Sequence, residues 1–136
     1  MPIAWWPTFG AYWVGSSPTG VYRELVRMHR DEGLDFSQVV VCGISEFLGV
    51  GPDQAQSHAA RLREHLLDKV NIQPENVHLF NGGVAPFQAN LDAVEFERAI
   101  ADAGGLDVAL LGIGGNGHVG YNEPFGSRAS PARLCT

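Results

Sequence analysis

The apolar residues of the chain fall into two kinds of pattern that alternate along it. In SSPTGVYRELVRMHRDEG, Val21, Leu25 and Met28 recur at helical spacing. The spacing predicts a helix with Ser17 as its N-cap and Pro18 at the first helical position, where a missing amide costs nothing. SQVVVCGI follows as an unbroken β-branched run, the composition of a strand covered on both faces. DQAQSHAARLREHLLDKV returns to helical spacing with Leu62, Leu66, Leu67 and Val70 inward, and NVHLF reads as a short strand. LDAVEFERAIADAGG is a helix ended by glycine, and LDVALLGIG is a second strand expected to be buried. Buried strands alternating with helices predict a parallel three-layer α/β sheet with right-handed crossovers, whose ligands lie beyond the carboxyl ends of the strands. Three loops follow those ends, VGSSPTG, CGISEFLG and GIGGNGHVGYNEP, and they are expected to converge on one crevice.

Composition narrows the class of ligand. A chain of 136 residues, 45% hydrophobic, is the size of one domain and can build a core. A net charge of -6 without a Lys/Arg-rich run argues against nucleic acid, so a small molecule is the expected partner. Cys42 and Cys135 have neither metal-ligand spacing nor the density of a disulfide scaffold, which points to a reducing, cytoplasmic location. The N-terminal MPIAWWPTFGAYWV is apolar, but its prolines and its lack of a basic start fit neither a signal peptide nor a membrane span. His29, His58, His65 and His78 form no i,i+4 pair or Cys/His cluster, so they are read as packed or solvated side chains and no metal is expected. Trp5, Trp6 and Trp13 have no interleaved basic residues and are read as core or misplaced apolar surface rather than as a stacking platform.

Gly112, Gly114 and Gly117 have the G-x-G-x-x-G spacing of a dinucleotide loop. That meaning requires a helix next, and Gly120, Pro124 and Gly126 interrupt one; no acidic residue beyond Glu123 remains to bind a ribose. The glycines must serve other chemistry beside His118 and Glu123. An imidazole titrates near neutral pH and can take and return a proton, while a nearby carboxylate fixes its tautomer. Gly15, Ser16 and Ser17, at a helix N-terminus, have the amides and hydroxyls that suit a phosphate.

GSSPTGVYRELVRMH, ISEFLGV, NVHLFNG and LLGIGGNGHVGYNEP together resemble the glucosamine-6-phosphate deaminase family, related to the 6-phosphogluconolactonases, from about Gly15 to Arg133. The Asn-Glu-Pro after the His resembles the deaminase branch more than the lactonase branch. The resemblance implies a Rossmann-like fold of one partial domain, with residues 1–13 atypical and 14–133 family-like. It implies ring opening, proton transfer from C2 to C1, and release of ammonia to give fructose 6-phosphate, with no cofactor. His118 would then match the ring-opening acid/base and Glu123 the carboxylate that orients it. Gly114, Gly115 and Gly117 would admit the sugar to backbone amides. Arg133 falls on a phosphate-binding arginine of some members, while Val14 replaces a usual Thr and Gly126 a usual Ser or Thr.

Two departures temper that implication. Ser45 stands where the family carries the Asp that takes the C2 proton, and a serine hydroxyl is no general base without an activator. Glu46 is the remaining candidate carboxylate, although the next residue along a chain usually points elsewhere, and Asn116 replaces a second Asp of many members. The family's domain also continues through further strands and a phosphate-binding Lys, so a truncated domain, weakly stable alone, is expected. The expected partners are a sugar phosphate and either a homo-oligomer or a completing chain, with no nucleic acid and no membrane. The expected function is deamination of glucosamine 6-phosphate at low activity; the alternatives are a non-catalytic sugar-phosphate binding module or degenerate gene fragment, and then a lactonase.

Overall fold

The computed structural model describes residues 9–12, 18–127 and 129–134. Its elements are β1 (Phe9–Tyr12), α1 (Thr19–Glu32), β2 (Val40–Gly43), α2 (His58–His65), β3 (Val77–His78), α3 (Pro86–Asp102) and β4 (Val108–Leu110). All four strands are parallel and lie in the order β3-β2-β1-β4. The chain moves from β1 outward to β3, then returns across the sheet to β4. With the right-handed crossovers that parallel sheets adopt, this strand order puts α1 and α2 on one face and α3 on the other, giving three layers. Strand order reverses between β1 and β4, and in such sheets that reversal opens the ligand crevice.

The core lies between β2 and the first two helices. Tyr22, Val41, Leu62, Leu66 and Leu67 form a buried cluster, with Leu25, Val26, Val70, Val77 and Leu110 packed against it. The inward stripe of α1 is Tyr22, Leu25, Val26 and His29, and Val21, expected inside, is 42% exposed. A tyrosine ring buries more apolar area than a valine and can keep its hydroxyl partnered, so the helix turns by one position. α1 begins at Thr19, with Pro18 preceding it and accepting from the Tyr22 amide at 3.0 Å; the proposed cap Ser17 lies outside the described residues. α2 is shorter than its apolar periodicity predicts: residues 52–57 are largely turns, and Ser57 caps it by accepting from the Ala60 amide at 3.2 Å. Leu67–Lys69 continues past α2 as a 3-10 turn that keeps Leu67 inside.

β4 corrects a second expectation. Its run was expected to be covered on both faces, yet Val108 is 49% exposed and Ile113, just beyond the strand, 77%. Among the described residues β4 lies at the edge of the sheet, with β1 as its one hydrogen-bonded neighbour.

Candidate active site

The loop after β4 folds back on itself immediately. Ile113 pairs with Val119 in an antiparallel bridge, the Gly114 amide donates to the His118 carbonyl at 2.9 Å, and the Gly117 amide to the Gly114 carbonyl at 2.8 Å. This closes the His118 imidazole over the α-carbon of Gly114, where any Cβ would run into the ring. Gly117 has φ +88, a left-handed conformation that only glycine adopts without strain. Gly115 faces open space.

Asn116 stands between His118 and Glu123. Its Nδ2 donates to Glu123 Oε2 at 2.8 Å, which turns Oδ1 toward the histidine. Oδ1 accepts from the His118 amide at 3.1 Å and lies 2.6 Å from His118 Nδ1. A carboxylate is acceptor-only, so the amide must present nitrogen to Glu123 and oxygen to the ring, and Nδ1 carries a proton. In the neutral imidazole the lone pair is then on Nε2. Glu123 was expected to meet the imidazole directly; the hydrogen bonds instead link the two through Asn116. The three residues fall within eight positions, and their linkage needs only the tight turn between them.

Past His118 the chain makes a second turn, Val119–Asn122, with the Val119 and Asn122 backbones exchanging bonds at 3.1 and 2.9 Å. Its central residues Gly120 and Tyr121 both have positive φ, 57° and 61°. The turn carries Tyr121 across to the loop after β2. Its ring is nearly parallel to His58 at 6.2 Å and edge-on to Phe47 at 5.6 Å, while Phe47 and His58 are 4.8 Å apart. Burial, and then the charge of Glu46, push the Tyr121 hydroxyl above its ordinary pKa. The Arg133 guanidinium returns to the same segment, donating to Asn122 Oδ1 at 3.0 Å.

In the β2 loop, Ser45 and Glu46 do different things. Ser45 Oγ lies 3.0 Å from His58 Nδ1, a partner that the sequence does not reveal because it sits 13 residues away on α2. Glu46 turns to the start of α2 instead. It accepts from the Phe47 amide at 2.9 Å, Ser57 Oγ at 2.7 Å, and the His58 and Ala59 amides at 3.1 Å each. Burial alone would raise its pKa, but the bonds from Ser57, Ala59, Phe47 and His58 outweigh it and hold the carboxyl below its ordinary range. These four bonds tie the carboxylate to the start of α2. The loop is pinned from the other side by Gly82, whose carbonyl accepts from the Gly49 amide at 2.6 Å and whose α-carbon leaves no room for a Cβ beside the Phe47 carbonyl.

Gly15, Ser16, Ser17 and Val14 lie outside the described residues, as do Trp5, Trp6, Trp13 and Cys135. His29 is packed, its Nδ1 2.6 Å from the Leu34 carbonyl and its ring edge-on to Phe36. Among the described residues no group of three His, Cys, Asp or Glu side chains is placed to hold a metal, and no helix is long and apolar enough to cross a membrane.

Comparison with known proteins bears on what this arrangement belongs to. The family model of glucosamine-6-phosphate isomerases/6-phosphogluconolactonase matches residues 15–120. The chain belongs to that family. A glucosamine-6-phosphate deaminase 2 of Giardia intestinalis is 47% identical over 120 residues, covering 88% of this chain and 45% of the relative. A glucosamine-6-phosphate deaminase of Arthrobacter sp. (strain FB24) is also 47% identical, with the same coverage. The chain therefore spans about half the length of these relatives. Among solved structures, a monomeric glucosamine-6-phosphate deaminase superposes with a TM-score of 0.83 at 29% identity, covering 90% of this chain and 50% of that one. The 6-phosphogluconolactonase of Thermotoga maritima superposes with a TM-score of 0.68 at 26% identity, covering 82% and 48%. The family members thus share the Rossmann-like three-layer sheet described above.

Proposed function

We propose that this chain carries the ring-opening half of a glucosamine-6-phosphate deaminase site, the reaction converting glucosamine 6-phosphate to fructose 6-phosphate and ammonia. The observation that carries the reading is the His118–Asn116–Glu123 chain in the loop after β4. A proton on Nδ1 leaves Nε2 to take the anomeric hydroxyl proton as the C1–O5 bond breaks, and to return a proton to O5. The imidazolium formed in between is stabilised by Glu123 through the Asn116 amide. Relatives bearing the deaminase name at 38–47% identity favour this branch over the lactonases. Phosphate is assigned to the amides of Gly15, Ser16 and Ser17 at the start of α1, and to Arg133.

Transfer of the C2 proton needs a base, and Ser45 is not one. Loss of a positioned general base costs on the order of a hundred- to ten-thousand-fold in rate, so turnover by the chain is low. The engagement of Ser45 by His58 favours a second reading, a sugar-phosphate binding module that has kept the crevice and lost the chemistry. Ammonia release from glucosamine 6-phosphate, measured for the chain and for Ser45→Asp, separates them. A gain in Ser45→Asp supports the deaminase site. Silence in both, with specific sugar-phosphate binding, supports the module.

A further inference from the structure

The sheet order puts β1 between β2 and β4, so the loops that follow β2 and β4 start about 10 Å apart. Tyr121 spans that interval. It sits in the Val119–Asn122 turn, which separates His118 from Glu123, and its φ of 61° is one that a bulky L-residue adopts only against steric resistance. Such a conformation persists where its surroundings hold it. Asn122 fastens the turn from within, its Nδ2 donating to the Val119 and Gly120 carbonyls at 3.2 Å each. From outside, the Tyr121 ring meets His58 at 6.2 Å and an interplanar angle of 5°, and Phe47 edge-on at 5.6 Å. Both separations fall in the range of favourable aromatic pairs. His58 is 6% exposed and is itself fixed to the β2 loop, its amide donating to Glu46 Oε1 at 3.1 Å and its Nδ1 lying 3.0 Å from Ser45 Oγ. A short path of contacts, Tyr121 to His58 to Ser45, therefore joins the turn that follows His118 to residue 45.

We propose that Tyr121 is a positioning residue that pins the His118 turn to His58 and Phe47, and so holds the ring-opening histidine at a fixed distance from residue 45. This rests on the function proposed above, in which one bound sugar meets His118 at the ring oxygen and residue 45 at C2. Two groups on separate loops serve one sugar only while the loops keep their spacing, and a misplacement of about 1 Å can cost on the order of a hundredfold in rate. Both aromatic contacts are made by the ring, so phenylalanine at position 121 should serve as well. Glycine there would relieve the positive φ and leave the turn closed but untied, whereas alanine would keep the unfavourable φ and lose the ring.

Exchange of backbone amides with water, followed by NMR on the full chain, reads the tie without any need for turnover. Phe47→Ala removes the partner ring on the β2 loop, and it is expected to speed exchange at the Val119 and Asn122 amides about 3- to 10-fold. In a Tyr121→Gly chain the same substitution is expected to change that exchange less than about 2-fold. Equal acceleration in both backgrounds, or none in either, overturns the proposal. Ammonia release from glucosamine 6-phosphate in a Ser45→Asp background supplies the second measurement. Tyr121→Ala is expected to lower kcat at least about 10-fold with KM within about 3-fold, and Tyr121→Phe to retain the activity of the parent. An unchanged kcat in Tyr121→Ala, or a Tyr121→Phe chain as impaired as Tyr121→Ala, overturns the positioning role. A Ser45→Asp chain that releases no ammonia, while Phe47→Ala still loosens the turn, defeats the proposed function and leaves the tie between the loops standing.

Discussion

Glu46→Gln preserves the shape of the side chain and removes its charge, so it measures what the carboxylate does at the start of α2. Oε1 accepts from the Phe47 and His58 amides, and Oε2 from Ser57 Oγ and the Ala59 amide. A glutamine has one acceptor oxygen, and whichever way the amide is turned its NH₂ group faces one of these donor pairs. The Ser57 hydroxyl can rotate away; a backbone N–H cannot. Stranding one such donor costs about 1–3 kcal/mol, and loss of negative charge in the first turn of a helix adds about 0.3–1 kcal/mol. Partial access of water to the carboxylate favours the lower part of that range, so the expected loss is about 2 kcal/mol. For a small domain with about 5–15 kcal/mol in total, and a urea slope of about 1–3 kcal/mol per molar, the midpoint falls by about 1 M.

The sign with pH follows from the depressed pKa. A carboxyl held below its ordinary 4.5 in the folded chain contributes stability that is fully present above the unfolded value and is lost as pH falls through the folded one. The gap between wild type and Glu46→Gln should therefore be widest near neutrality and close on acidification below about pH 4.5. Urea titrations at neutral pH and near pH 3 read both points. A neutral-pH difference under about 0.5 kcal/mol, or a gap unchanged by acid, refutes the structural assignment. Full stability with abolished ammonia release would instead make Glu46 the missing base.

Gly114→Ala should push the His118 ring off Asn116 and lower ammonia release in a Ser45→Asp background by at least about 100-fold; since the loop is largely exposed, the unfolding midpoint should hardly move. Retained activity would show that the imidazole needs no such seat. Amide shifts at Gly15 to Ser17 should follow titration with glucosamine 6-phosphate and not with glucosamine, and equal or absent shifts count against the phosphate site. Cys42 is buried and its thiol is pushed up to about 12, so in a Cys135→Ser chain it should react with a thiol reagent only at the rate of unfolding; rapid labelling in the folded chain would contradict its place in β2. With Val108, Leu111 and Ile113 exposed beside an open strand edge, the chain should self-associate or bind a hydrophobic dye, and a monomeric, dye-silent chain of ordinary stability would refute that.

The legible parts of this protein were those whose physics is local. The His118, Asn116 and Glu123 cluster is written within eight residues, and a glycine beneath the ring and another at positive φ are what such a turn demands. The helices and the strands β2, β3 and β4 were likewise carried by countable apolar runs, apart from end positions set by caps, whereas β1 lies in the stretch read as atypical. His58 was read as a packed or solvated side chain because its significance lies in a contact with Ser45 across a loop, and no spacing rule relates the two. The partners of Glu46 were hidden for the same reason: Ser57, His58 and Ala59 reach its carboxylate only once α2 has docked.

The error at β4 has a different origin. A continuous apolar run reports the environment for which a strand is suited, and a parallel strand is suited to cover on both faces. In this structure β1 supplies one hydrogen-bonded neighbour and Leu110 reaches the core, while Val108 is left half exposed. α3 repeats the mismatch, with Phe87, Leu91 and Val94 at helical spacing and all exposed. Both surfaces follow residue 85. The same apolar pattern that misled the burial assignment therefore marks apolar surface that a partner could cover. Cover supplied there would steady β4, from whose end the His118 turn is suspended, so stability and site geometry should rise together.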